Sequence, residues 1–234
     1  MTKPLARAGI FAYNPNMKMQ IDALHGEFDK LQRKHGSVNL DSIYGAGCID
    51  NPDICFIFMN PTGKNIASRK TWKGLKAPWI GTKNTWKLMN AVGVLSDETL
   101  QEILRRRPSA WDYGFAETVY GEIARGKVYI TNLGKCTKDD AAHVSDSVFR
   151  EYLGLLEQEI LAVRPKKIIA FGNQASSLLL GRAVKVSEMR KKHLVKKIGG
   201  AEFPVFPVYY PVGQGMRNLP LATEDIRFAI SKKI

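Results

Sequence analysis

A chain of 234 residues, 44% hydrophobic and 24% charged, has the make-up of a globular protein with room for one sizeable core, which excludes a disordered or low-complexity chain. Thirty-five Lys and Arg against 22 Asp and Glu leave a formal charge of +13, an excess that draws polyanions because neutralised phosphates release their counterions. No apolar run is long enough to cross a bilayer, the opening MTKPLARAG lacks the apolar stretch of a secretory leader, and three cysteines are too few for a disulfide framework, so an intracellular protein, cytoplasmic (nucleoid) or nuclear, is expected.

In chain order, the segment before Tyr44 reads as an N-terminal extension, about residues 1–43, on a single domain. Within it Met17 to His35 carries apolar residues at helical spacing (Met19, Ile21, Leu24, Phe28, Leu31) until Gly36 stops the run. ICFIFMNP is a short apolar stretch of strand length closed by a proline. Thr85 to Val92, Asp97 to Arg107 and Ala116 to Arg125 read as helices. Lys127 to Thr131, KVYIT, is β-branched and aromatic and reads as a second strand. Ser145 to Val163 forms a long amphipathic helix, and Lys167 to Phe171 a third strand followed by a helix from about Gln174 to Leu180. After a basic loop, Phe203 to Tyr210 is extended.

Short apolar strands alternating with helices predict a three-layer α/β/α sandwich around a central, mainly parallel four-stranded sheet. In such sheets functional loops leave the carboxyl ends of the strands. Here those ends carry MNPTG, TNLGKC, GNQA and YYPVGQG.

Together these segments, from about Tyr44 to Arg217, resemble the uracil-DNA glycosylase superfamily. The second half is similar to its thermophile-type, iron–sulfur branch. A strand ending in ITN-x-x-KC appears as Ile130, Thr131, Asn132, Lys135 and Cys136. RPK-x-I-x-A-x-G, a helix and LLG run from Arg164 through Gly172 to Gly181, and Val184 to Arg190 and VYYP follow. The first motif departs from that branch. Phe58-Met59-Asn60-Pro61-Thr62 stands where it has Gly-Glu-Ala-Pro-Gly, and its Met-Asn-Pro core resembles the single-strand-selective and mismatch-specific branches.

The resemblance implies a monofunctional glycosylase that flips a damaged base, uracil first, out of DNA and hydrolyses its N-glycosidic bond. It assigns Asn60 to the attacking water and Tyr210, where the family has histidine, to the base oxygen that gains charge. Met59, Pro61, Thr62 and Gly63 would line the pocket, Trp79 would stack on the base, and Asn132 would read its Watson–Crick edge. Gly213, Gln214, Gly215, Met216 and Arg217 would enter the DNA, and the basic run with Lys191 and Lys192 would meet phosphates. The partner implied is single- or double-stranded DNA, bound by a monomer with no membrane contact.

The same residues have structural uses: Asn60 as a turn before Pro61, Trp79 as a core ring beside Trp72 and Trp86, Tyr210 as a packed aromatic. A non-catalytic nucleic-acid binder on the same fold, a glycosylase for another deaminated base, and a mononucleotide site at GNQA stay open. No metal or cofactor is expected. Of the four cysteines that hold the branch's cluster, Cys136 has a counterpart, but Cys48 and Cys55 are separated by six residues, and Arg150 and Tyr152 stand near the fourth position. His25, His35, His143 and His193 lack ligand spacing.

Overall fold

Three runs with almost no polar side chains form the middle of the sheet: β2 (Ile54–Phe58), β3 (Val128–Asn132) and β4 (Ile168–Phe171), every residue of which is buried. The computed structural model describes residues 15–141, 143–211 and 213–233; the first part of the expected extension, residues 1–14, lies outside them. With β1 (Ala46–Gly47), β5 (Leu194–Ile198) and β6 (Ala201–Val208) the strand order is β1-β3-β2-β4-β6-β5.

The four expected strands, β3, β2, β4 and β6, run parallel as predicted. The sheet is nevertheless six-stranded among the described residues, because β1 and β5 add antiparallel edges. β1 is two residues long, too short for a periodic signal. β5, LVKKI, alternates half-buried or buried positions with exposed Val195 and Lys197, and reads in sequence as a basic loop; lysines on an edge strand also discourage pairing with another chain.

Alternation along β2 divides the core. Ile54, Phe56 and Phe58 face one layer, with α2 (Asn84–Ala91), α3 (Asp97–Arg105), α4 (Tyr113–Arg125) and α8 (Leu219–Ser231). Cys55 and Ile57 face the other, with α5 (Asp146–Val163) and α6 (Gly172–Leu180). These two faces make the α/β/α layers. A single-turn α7 (Val186–Met189) precedes β5.

Helix ends follow local chemistry. Ser96 Oγ accepts from Thr99 N at 3.2 Å to start α3, and Asp112 Oδ1 accepts from Phe115 N at 2.8 Å to start α4. Gly181, at φ +67°, ends α6 in the left-handed region that glycine enters without penalty. The expected N-terminal helix is α1 (Pro15–His35), whose Leu24 and Phe28 pack with Tyr152 of α5 and Cys136.

Candidate functional site

The loops beyond the carboxyl ends of β2, β3 and β6 surround a cleft of about 1290 Å³. It is lined by 61–66 after β2, by Asn132 at the end of β3, by Tyr210 and Gly215 after β6, and by residues between Pro78 and Asn84. This is where a parallel α/β sheet holds its ligands.

Phe58, the last residue of β2, is fully buried and organises the aromatic part of the site. It stacks on Phe171 at 4.2 Å, meets Trp79 edge-on at 4.9 Å, and meets Tyr210 edge-on at 6.3 Å. Trp79 adopts φ +67°, a left-handed conformation uncommon outside glycine and held here by three bonds to its carbonyl. Thr82 N, Thr82 Oγ1 and Trp86 Nε1 donate to Trp79 O at 3.0, 2.7 and 3.1 Å. Its own indole Nε1 is buried and has no hydrogen-bond partner among the described residues.

The loop after β2 is tied to the Trp79 segment by a residue that motif reading passes over. Asn65 Nδ2 donates to Ala77 O at 2.8 Å, its Oδ1 accepts from Ala67 N at 3.1 Å, and Ile66 N donates to Ile80 O at 3.0 Å. Gly81, at φ +82°, lies so close to Ile66 that a Cβ would stand 2.9 Å from its side chain. These contacts fix the separation of two cleft-lining loops.

Asn132 is 1% exposed, yet neither Oδ1 nor Nδ2 has a hydrogen-bond partner among the described residues. A buried polar group left unpaired costs roughly 1–3 kcal/mol, so an amide in this state at a cleft calls for a partner from outside the chain, water or ligand. Its backbone, by contrast, is firmly held. Lys135 Nζ donates to Asn132 O at 2.6 Å and to Thr131 Oγ1 at 2.5 Å, and lies 2.7 Å from Glu159 Oε2. Glu159 Oε1 in turn accepts from Tyr129 Oη at 2.7 Å and Thr131 Oγ1 at 2.9 Å. This fully buried ion pair is what the Lys of the KC motif builds.

Tyr210 is half-buried, and burial pushes its phenol up to about 12, so it stays a neutral donor at physiological pH. Gly215 is packed onto it: a Cβ there would fall 2.0 Å from Tyr210 O, so no other residue fits.

Not every expected residue reaches the cleft. Pro61, Thr62, Gly63, Trp79, Asn132, Tyr210 and Gly215 line it; Met59 and Asn60 do not. By strand alternation Met59 packs instead with the core on the α5 and α6 face, which corrects its assignment to the substrate wall. Asn60 is half-buried beside Pro61, with Nδ2 donating to Pro61 O at 3.1 Å. Gly63 N is also taken, since it donates to Lys138 O at 2.7 Å.

Residues 213–218 form a 3-10 turn leading into α8 rather than an open loop, with Met216 half-buried and Arg217 exposed; the side chains of Gly213 and Gln214 lie outside the described residues. Lys191 and Lys192 are away from the cleft lining. Lys191 Nζ pairs with Glu224 Oε1 at 2.5 Å and Lys192 Nζ donates to Glu188 O at 3.3 Å, so the basic run is partly neutralised by α8. The cations that do line the cleft are Lys64, Arg69 and Lys83, all exposed, and one carboxylate, Asp139, joins them.

At GNQA the side chains are engaged: Asn173 Oδ1 accepts from Val186 N at 2.9 Å, and Gln174 Nε2 donates to Asp146 Oδ1 at 2.7 Å. The cysteines do not converge. Cys48 N bonds Val128 O at the start of β3, whereas Cys136 lies beyond its end, enclosed by Leu24, Phe28 and Tyr152. These residues do not fit an iron–sulfur cluster.

Fold and cleft define an α/β protein whose strand-end cleft has an aromatic wall, a buried amide and exposed cations. The model of the uracil DNA glycosylase superfamily matches residues 44–227, more than half of the chain, and the chain belongs to that superfamily. Its members are generally DNA glycosylases, hydrolases of N-glycosyl bonds, and act on DNA. A comparison with curated proteins found no match.

Proposed function

We propose that the protein is a monofunctional DNA glycosylase that takes a flipped damaged base, uracil first, into the cleft and hydrolyses its N-glycosidic bond, leaving an abasic site. The observation that carries the reading is the Asn132 amide, buried at the cleft with donor and acceptor both unspent. An amide offers one donor and one acceptor side by side, which match O4 and N3–H of uracil.

A base inside a duplex is out of reach, so it must rotate out at a cost of a few kcal/mol. Lys64, Arg69 and Lys83 supply phosphate affinity at the mouth, and Met216 fills the vacated stack. Trp79, braced by Phe58, gives the base a flat partner. Cleavage passes through an oxocarbenium-like sugar, so water needs positioning more than deprotonation. Asn60, beside the cleft rather than in its lining, is our candidate to hold that water through its amide oxygen. The departing base anion is stabilised by the Tyr210 hydroxyl and the Thr62 main-chain N–H. Each such donor is worth roughly 10² to 10³ in rate.

The test is a panel of oligonucleotides, each with one damaged base, followed by alkaline cleavage of abasic sites. Strand cleavage at uracil supports the reading. The second reading, a DNA-binding protein that has lost catalysis, is favoured by Met59 and Asn60 standing outside the cleft lining; lesion binding without abasic sites is its signature.

A further inference from the structure

With Met59 in place of a first-motif carboxylate and turned toward the opposite core, the strand end that follows β2 brings no negative charge to the cleft. Apart from the phosphates of the DNA itself, a positive sugar forming near Lys64, Arg69 and Lys83 would then meet only cations and dipoles from this part of the protein. Among the described residues lining the cleft there is one carboxylate, Asp139, and it arrives from a different loop.

Its position is built. Thr62 and Lys138 form a parallel bridge, Lys138 N donates to Pro61 O at 3.2 Å, and Gly63 N donates to Lys138 O at 2.7 Å, so the loop carrying Asp139 is stitched onto the first motif. The approach is close enough that a Cβ on Gly63 would lie 3.2 Å from Asp139 O. The side chain is oriented as well. Ser37 Oγ donates to Asp139 Oδ2 at 2.6 Å and accepts from Asp139 N at 2.9 Å, leaving Oδ1 for another partner. Asp139 is exposed, as a group that must meet solvent water has to be.

We infer that Asp139 is a catalytic residue of the proposed glycosylase, replacing from a second loop the carboxylate that the first motif lacks. The inference rests on the glycosylase reading of the cleft. In the step, the bond between the base nitrogen and C1′ breaks with its electron pair leaving on the base. Water adds to C1′, and the water proton passes to Asp139 Oδ1, from which it returns to solvent. Before that transfer the carboxylate stabilises the growing positive charge of the sugar.

The experiment uses the full chain and an oligonucleotide bearing the base that the wild-type protein excises best. Absence of excision from every lesion substrate by wild-type protein would remove the glycosylase reading itself and this inference with it. Given excision, Asp139→Asn is expected to lower the single-turnover rate on the order of 10²-fold, the usual scale of a positioned acid–base group. Binding of the same DNA should be equal or tighter, because a negative charge near phosphates has gone. Formate, a small free carboxylate, should restore part of the rate to Asp139→Ala. A wild-type rate in Asp139→Asn, a matching loss of rate and DNA affinity, or no rescue by formate would each overturn the assignment.

Discussion

Trp79 meets Phe58 edge-on at 4.9 Å, and this contact ties the loop between Pro78 and Asn84 to the end of the central strand. The indole is thereby anchored while Trp79 lines the cleft. Trp79→Ala should weaken binding of lesion-containing DNA by about 1–3 kcal/mol, the worth of one base stacked on an aromatic ring. Fluorescence anisotropy with lesion and undamaged oligonucleotides checks this. An equal loss on both would assign the ring to packing alone.

The mouth of the cleft and the basic run at 190–197 make opposite predictions. Lys64 and Arg69 are exposed at the cleft, whereas Lys191 is paired with Glu224. Lys64→Ala and Arg69→Ala should each flatten the slope of log affinity against log salt by about 0.9, the change for each phosphate no longer neutralised. Lys191→Ala should leave it unchanged. A salt titration of the three variants decides between the two surfaces.

The Lys135–Glu159 pair, at 0% and 1% exposure, stabilises the end of β3 but strands a charge if broken. Lys135→Met alone should cost about 3–5 kcal/mol in urea unfolding, and Lys135→Met with Glu159→Leu should recover much of that. A single variant as stable as wild type would mean that the carboxylate finds water or a proton without cost.

Because burial holds the Tyr210 phenol up to about 12, it keeps its proton through pH 10, where a free phenol is half ionised. The rate ratio of wild type to Tyr210→Phe should therefore stay flat from neutrality to about pH 10 and fall only above it. A ratio that collapses before pH 10 would show that the phenol is solvated and not the enclosed donor described.

The sheet's centre was legible because ICFIF, KVYIT and KIIAF are apolar on both faces, as buried parallel strands must be. Its edges were not: β1 is too short, and β5 carries lysines that look like loop. In the site, Asn132 and Tyr210 were legible as strand-end motif residues and Trp79 through the family resemblance, and the fold brings all three to one cleft. Met59 was misplaced because motif order ignores the alternation that sends it to the far face. Asn65, Lys64, Arg69, Lys83 and Asp139 carry no motif. Asp139 reaches the cleft through a loop crossing, Thr62 against Lys138, and Asn65 acts through its bond to Ala77 O, long-range contacts that no local pattern encodes.

If Asn132 reads the base, removing its amide must abolish excision without touching DNA affinity. An oligonucleotide with a single uracil is incubated with wild-type protein and with Asn132→Ala, then cleaved with alkali. Wild type should leave an abasic site, the variant should show a large loss, and both proteins should bind undamaged DNA equally. Equal cleavage by the two proteins would contradict that role for Asn132.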